Sequence, residues 1–229
     1  MNRSMFRSTL AAVVTVAAAT ALAPVAYAQA DQQKLVGAAE TTFSNFVRDP
    51  DMTWIQQNLG RAKAVLIAPE VVKAGFILGG SGGRAVLVAK DPKSGKWAGP
   101  AFYTLATGSV GFQAGVAVSE AVTLVMTDKG MNSLLASSFK MGGDASVAAG
   151  PVGAGAKSDV VADLVSFSRS KGVYGGLNLD GTVVKTSDDW NSAYYGKKVL
   201  PPDILVRMDV HAKGADKLLA DVAKAAGGK

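Results

Sequence analysis

The chain has 229 residues, with 24 Lys and Arg against 18 Asp and Glu, 26 Gly, a single His and no Cys. The absence of Cys excludes disulfides, a lipidated N-terminal cysteine and cysteine-ligated metals, so the fold must be held by its hydrophobic core. The basic excess is milder than a nucleic-acid binder usually carries, and no nucleic-acid partner is expected.

Residues 1–28 read as a secretory leader. Arg3 and Arg7 form a basic start, residues 10–23 are apolar apart from two Thr, and Ala26-Tyr27-Ala28 fits the small-x-small cleavage pattern. The apolar part is too short for a membrane span, and no other stretch reaches that length. The expected mature part, residues 29–229, is long enough for one domain with a substantial core. Two of the basic residues lie in the leader and no acid does, so the mature charge is about +4, compatible with an anionic membrane surface. Export to the periplasm or cell envelope, peripheral to the membrane, is the expected location.

Residues 31–48 read as a helix, because Leu35, Ala39, Phe43 and Phe46 recur at three- and four-residue spacing. Asp49-Pro50-Asp51 breaks it, and Asp51 can cap a second helix carrying Met52, Ile55 and Leu59 and ending near Gly60. "AKAVLIAP" and "RAVLVAKD" are short β-branched runs that read as strands. "EVVKAGFILGGSGG" between them reads equally as a loop or a distorted strand. "KDPKSGKW" is a hairpin turn. A strand follows over residues 108–126, a short helix over 128–139, and further strands around "GDASVAAGPVG", "DLVSFSRSKGVYGGLNLDGTVVK" and "ILVRMDV". "LDGT" (residues 179–182) is a tight turn. Residues 212–226 form a closing helix with Leu218, Leu219, Val222 and Ala226 inward and Lys213, Lys217 and Lys224 outward.

In residues 108–126 one parity (Val110, Phe112, Ala114, Val116, Val118) is bulky and the other (Ser109, Gly111, Gln113, Gly115, Ala117, Ser119) is nearly bare. Glycine inside a strand marks a bulge, a bend or a close backbone approach. The same texture recurs in residues 143–155 and 172–181. It predicts a curved, tightly packed sheet whose bulky parity meets the other elements, not a hollow wall around a ligand. With no regular βα alternation, the fold class is α+β: a curved, glycine-rich antiparallel β body, sandwich- or barrel-like, with two N-terminal helices and a C-terminal helix.

Four stretches in order, "GFQAG" (111–115), "AAGPVG" (148–153), "SRSKGVYGG" (168–176) and "NSAYYG" (191–196), together with a W-x-x-P-like pair at Trp97 and Pro100, resemble the SYLF-domain family over roughly residues 62–205. Val173 and Gly175 stand where the family often has Leu and Ala. The resemblance implies a lipid-binding domain. Eukaryotic members bind phosphoinositides and some bind actin, whereas bacterial members are typically exported single-domain proteins. Because a leader would carry this chain away from any cytoskeleton, actin is expected to be an unlikely partner. Anionic phospholipids other than phosphoinositides are the expected ligands.

Three places fit lipid contact. In an extended "SRSK", Arg169 and Lys171 point the same way, roughly 7 Å apart, and can share one phosphate; alternatively Arg169 pairs with a carboxylate on an adjacent strand, Asp180 being one such partner. At the hairpin tip, Lys90, Lys93 and Lys96 stand beside Trp97 and suit a headgroup interface; alternatively the tip is simply solvated and Trp97 folds back onto the core. The first helix, with Leu35, Phe43, Phe46 and Arg48, either lies in an interface or docks on the β body.

No cofactor, metal or enzymatic activity is expected. His211 sits in no catalytic motif. Asp188-Asp189 lacks further ligands and reads as turn acids. Glu120 interrupts a bulky parity; it either lies at a strand end or pairs with a cation, a general-acid role being the minor alternative. The glycine clusters at 79–83 and 150–155 lack phosphate-loop spacing. A structural or adhesion protein of the envelope is the alternative to lipid binding. An outer-membrane barrel is disfavoured by the helical C-terminus and sparse aromatics.

Overall fold

The computed structural model describes residues 23–75, 78–110, 115–153, 160–170, 173–174 and 179–227. Helix α1 spans Ala23–Arg48, beginning six residues before the expected mature start at Gln29. Its buried positions, Gln32, Val36, Ala39, Phe43 and Phe46, alternate in steps of four and three and form one stripe. Pro50 disfavours the helical conformation in the residue before it. The chain therefore leaves α1 through a 3-10 turn, Pro50–Met52, capped by Asp49, whose Oδ1 accepts from the Asp51 N–H at 2.9 Å. The cap is thus Asp49 and not Asp51. A short helix α2 (Thr53–Asn58) follows.

Among the described residues, nine strands form one sheet: β1 (Ala64–Gly75), β2 (Leu78–Lys90), β3 (Trp97–Val110), β4 (Gly115–Val125), β5 (Ser138–Lys140), β6 (Val147–Ala149), β7 (Leu164–Ser170), β8 (Val173–Tyr174) and β9 (Val183–Thr186). Their order is β5-β9-β3-β2-β1-β4-β7-β6, with β8 added to β7. β1, β2 and β3 are consecutive hairpin strands, and β4 returns to lie beside β1, a Greek key. The ambiguous "EVVKAGFILGGSGG" is therefore mostly long strand, its residues 76–77 lying outside the described residues. Among the named strands, only β6 runs parallel to its neighbour, β7. Four residues link β3 to β4, although β2 and β1 lie between them. In a flat sheet that gap would be about 14 Å; the sheet instead curls into a half-barrel.

Helices cover both faces of the sheet at one end. On the first face, Val65, Ile67, Val86, Val88, Phe102 and Val122 pack with α1, α2 and the C-terminal helix α6 (Asp216–Ala226). On the second, Ala64, Leu66, Leu87, Tyr103 and Val125 pack with Leu134 of α3 (Asp128–Leu135) and with Ile204 and Leu205 of α5 (Pro201–Leu205). Burial on both sides explains the unbroken run of buried residues Ala64–Ala68. The Val, Leu and Ile side chains of that run each contribute about 1.5–3 kcal/mol.

At the other end no described element covers the first face. Val116 is 71% exposed and Val118 43%, on the same parity as the buried Val122 and Leu124. The expectation that this Val parity meets other elements is therefore corrected for the described residues: α1 crosses the sheet too near the opposite end to reach it. The strand expected at "ILVRMDV" is instead the end of α5 and an irregular stretch. Pro201 and Pro202 preset a helical first turn, and Asp203 Oδ2 accepts from the Leu200 N–H at 2.8 Å. Asp188 and Asp189, expected in a turn, open helix α4 (Asp188–Tyr195), where negative charge is favoured. Among the described residues, no helix is long and apolar enough to cross a membrane.

Among the described glycines, Gly83 makes the tightest approach to another stretch of backbone. β1 carries an irregularity between Ile67 and Glu70, and a Cβ on Gly83 would overlap the Glu70 carbonyl oxygen and sit 3.2 Å from Val71 Cα. Gly108 has open space around the same position. Gly83→Ala should therefore cost about 2–3 kcal/mol in urea unfolding, while Gly108→Ala should be neutral or stabilising by up to about 1 kcal/mol.

Candidate functional site

The hairpin joining β2 to β3 is organised by Asp91. Its carboxylate accepts from the Lys93 N–H at 3.2 Å, the Ser94 N–H at 3.0 Å and the Ser94 hydroxyl at 2.5 Å. The Ser94 hydroxyl bond, with those backbone bonds behind it, holds the Asp91 carboxyl below its usual range. Lys93 and Lys96 are left exposed, and among the described residues neither makes an ion pair. Trp97 is half-buried and packs against the first core, the second of its two sequence readings.

Beside this tip lies a cleft of about 530 Å³. Lys63, Lys90, Asp91, Lys93 and Asp128 give it charged lining; Met131 and Leu135 of α3, Leu205 of α5, and Val206 and Met208 after it, give it apolar lining. Lys63 pairs with Asp128 at 2.8 Å, Arg207 pairs with Asp203 and Asp209, and the Lys90 ammonium donates to the Gly60 carbonyl at 3.3 Å. Met208 is the one described non-glycine residue at positive φ, 56°, a conformation that unbranched side chains adopt at some cost. Of this cleft, sequence reasoning found the lysines of the hairpin and missed the rest. Its walls come from segments about seventy residues apart, and no local periodicity links them.

Arg169 does not sit in that cleft. It lies directly across from Glu120 in the β4·β7 ladder. Its Nε donates to Glu120 Oε1 at 2.7 Å and its Nη2 pairs with the same oxygen. Nη1 is 3.6 Å from Asp49, the guanidinium lies 5.2 Å from the Phe46 ring centroid, and the Thr42 hydroxyl donates to Glu120 Oε2 at 3.0 Å. The adjacent-strand carboxylate is thus Glu120, and the cluster ties α1 to the sheet. Lys171, its expected companion, lies outside the described residues. The first helix docks its aromatic stripe on the β body. Of the outward lysines of α6, Lys217 pairs with Glu40 of α1.

The "NSAYYG" stretch serves packing. Asn191 Oδ1 accepts from the Phe102 N–H at 2.9 Å, the Tyr194 hydroxyl donates to Gln33 Oε1 at 3.2 Å, and the Tyr195 hydroxyl donates to the Pro100 carbonyl at 2.9 Å. Burial pushes the Tyr194 phenol up to about 12, Asp216 adding to it. His211 pairs with Asp216 at 2.8 Å on the surface. Among the described residues no group of His, Asp and Glu is arranged to hold a metal ion.

Asp163 positions the α3 wall of the cleft. It accepts from the Thr127 hydroxyl at 2.5 Å, from the Ser146 N–H at 2.9 Å and from the Ser146 hydroxyl at 2.8 Å. Thr127 in turn caps α3 by accepting from the Gly130 N–H. The Thr127 bond is the main cause holding the Asp163 carboxyl below its ordinary range.

Residues 106–226 match the family described as Ysc84, Las17-binding protein actin regulator. The chain is 29% identical over 161 residues to the SH3 domain-containing YSC84-like protein 1 of Homo sapiens, covering 68% of this chain and 46% of that protein. It is 30% identical over 168 residues to Protein YSC84 of Saccharomyces cerevisiae, covering 70% of this chain and 36% of that protein. LAS seventeen-binding protein 3 of the same yeast is 31% identical over 145 residues, 60% of this chain and 31% of that protein. The chain thus spans less than half the length of these relatives. These descriptions overturn the expectation that actin is an unlikely partner. That exclusion rested on the leader alone, whereas the matched region lies in the folded domain and carries the likeness to proteins described by Las17 binding and actin regulation.

Two outcomes test this geometry. Arg169→Met, which strands Glu120, should cost about 2–3 kcal/mol in urea unfolding, and adding Glu120→Met should recover part of it. Asp163→Asn should cost about 1–2 kcal/mol at pH 7. A carboxylate with a lowered folded pKa stabilises above its unfolded value of about 3.9, and that contribution fades as pH falls through the folded pKa. The gap between wild type and Asp163→Asn should therefore close below about pH 4 in pH-dependent thermal melts.

Proposed function

The chain belongs to the Ysc84, or SYLF-domain, family, and on that premise we propose that it is a non-enzymatic domain that docks on anionic phospholipid surfaces. The observation that carries this reading is the β2–β3 tip. Asp91 is one carboxylate, held in the turn by its hydrogen bonds, against the exposed Lys93 and Lys96, with Lys90 and Lys63 lining the cleft beside them. Each basic residue held near an anionic membrane contributes about 1 kcal/mol, and salt weakens the attraction. Arg169 and Lys171 form a second proposed contact, with Arg169 reaching a headgroup only at the expense of its Glu120 pairing. The leader-like residues 1–28 support delivery of the domain to the periplasm or cell envelope.

A second reading comes from the relatives' descriptions: the domain binds a protein of the actin-regulatory machinery. The two readings part in one pelleting experiment. Wild type should sediment with vesicles containing anionic phospholipid at low salt and be released at high salt. Lys93→Ala/Lys96→Ala should lose about 2 kcal/mol, roughly thirtyfold in partitioning. Sedimentation with filamentous actin and not with vesicles would replace the lipid reading by the protein-binding one.

A further inference from the structure

The lining of the cleft beside the hairpin combines two chemistries. Lys90 and Lys93 come from the hairpin, and Met131, Leu135, Leu205 and Met208 come from α3 and from α5 with the segment after it. The charged lining keeps a cationic balance: Asp128 is paired with Lys63 at 2.8 Å, and Lys90 and Lys93 face the single carboxylate of Asp91, which is hydrogen-bonded to Ser94 and the turn backbone. Arg207, which also lines the cleft, is paired with Asp203 and Asp209. The volume, about 530 Å³, falls in the range of small-molecule sites. A wholly apolar ligand would make no use of the lysine charges, and a free inorganic anion would leave the methionine and leucine walls wet. Resting on the lipid reading above and deepening it, we infer that this cleft holds one single-chain phosphate amphiphile at a time. Its phosphate lies at Lys90 and Lys93, and its chain lies between α3 and the segment after α5.

The walls are set by the fold. α3 is fixed through Thr127 and Asp163, and the opposite wall turns at Met208, whose positive φ redirects the chain immediately after α5. Backbone held in a sparsely populated region is concentrated at ligand sites. Asn132, exposed on α3 and lining the cleft, is a position from which a large side chain fills it without disturbing either core.

The test uses dodecyl phosphate below its micelle concentration, with inorganic phosphate and dodecyltrimethylammonium as comparison ligands, in titration calorimetry and native mass spectrometry of the full chain. Wild type should bind one dodecyl phosphate and at least tenfold less of either comparison ligand. Asn132→Trp, which blocks the chain, and Lys93→Glu, which repels the phosphate, should each weaken binding at least tenfold while melting within a few degrees of wild type. Equal uptake of the cationic amphiphile, or unchanged binding by both variants, overturns the inference. Vesicle sedimentation by wild type without one-to-one uptake of dodecyl phosphate overturns the cleft alone. One-to-one uptake without vesicle sedimentation overturns docking on a membrane surface and leaves the cleft standing.

Discussion

The arrangement depends on a sheet that is sandwiched between helices over only part of its length. Near the ends of β1 and β2 closest to α5, every residue from Ala64 to Ala68 is buried, because alternate side chains enter two separate cores. Val65 and Ile67 meet α1, α2 and α6, while Ala64 and Leu66 face α3 and α5. Small residues on one parity let the second helical layer approach closely, and β-branched residues on the other fill the groove under α1. Past the irregularity between Ile67 and Glu70 the helices no longer reach, and the strands turn to glycine and exposed valine.

That division places the polar features. The Glu120–Arg169 pair stands at the edge of the covered region, where the first face emerges from under α1, and Thr42, Asp49 and Phe46 of the helical layer close over it. A partly buried pair of this kind costs desolvation that its own attraction only partly offsets; what it secures is the seat of α1 on β4 and β7. At the covered end, the helices of the second layer leave a gap beside the β2–β3 hairpin. The Asp163–Thr127–Ser146 cluster keeps α3 on one side of that gap, and the chain reversal at Met208 keeps the other side open.

Membership of the Ysc84 family and the geometry of the hairpin bear on function in different ways. The family likeness runs from β3 into α6, and the most recognisable stretch it contains, "NSAYYG", turns out to pin α4 against α1 and β3. Motif residues that define a family are often those that the fold needs. The lysines that make the hairpin and cleft basic carry no motif, so the family likeness alone does not point to them. A leader-like N-terminus, conversely, bears on the destination of the chain and not on what the folded domain can bind.

The helices at both ends were legible because an amphipathic stripe repeats locally, as Ala39, Phe43 and Phe46 do in α1 and Leu218 and Val222 do in α6. The strands near "AKAVLIAP" and "RAVLVAKD" were legible for a related reason, since burial on both faces leaves an unbroken apolar run. Glycine density foretold a sheet of unusual curvature, and Gly83 against the Glu70 carbonyl is such an approach. Strand order, however, was decided by the tertiary structure, because pairing β4 with β1 is a long-range contact that no window of sequence contains. So were the choice of Glu120 as the partner of Arg169, the exposure of Val116 and Val118 on a parity that is buried six residues later, and the cleft itself. Each depends on where one element ends relative to another across the fold. A sequence records the period of a face, but only packing determines how far its cover extends.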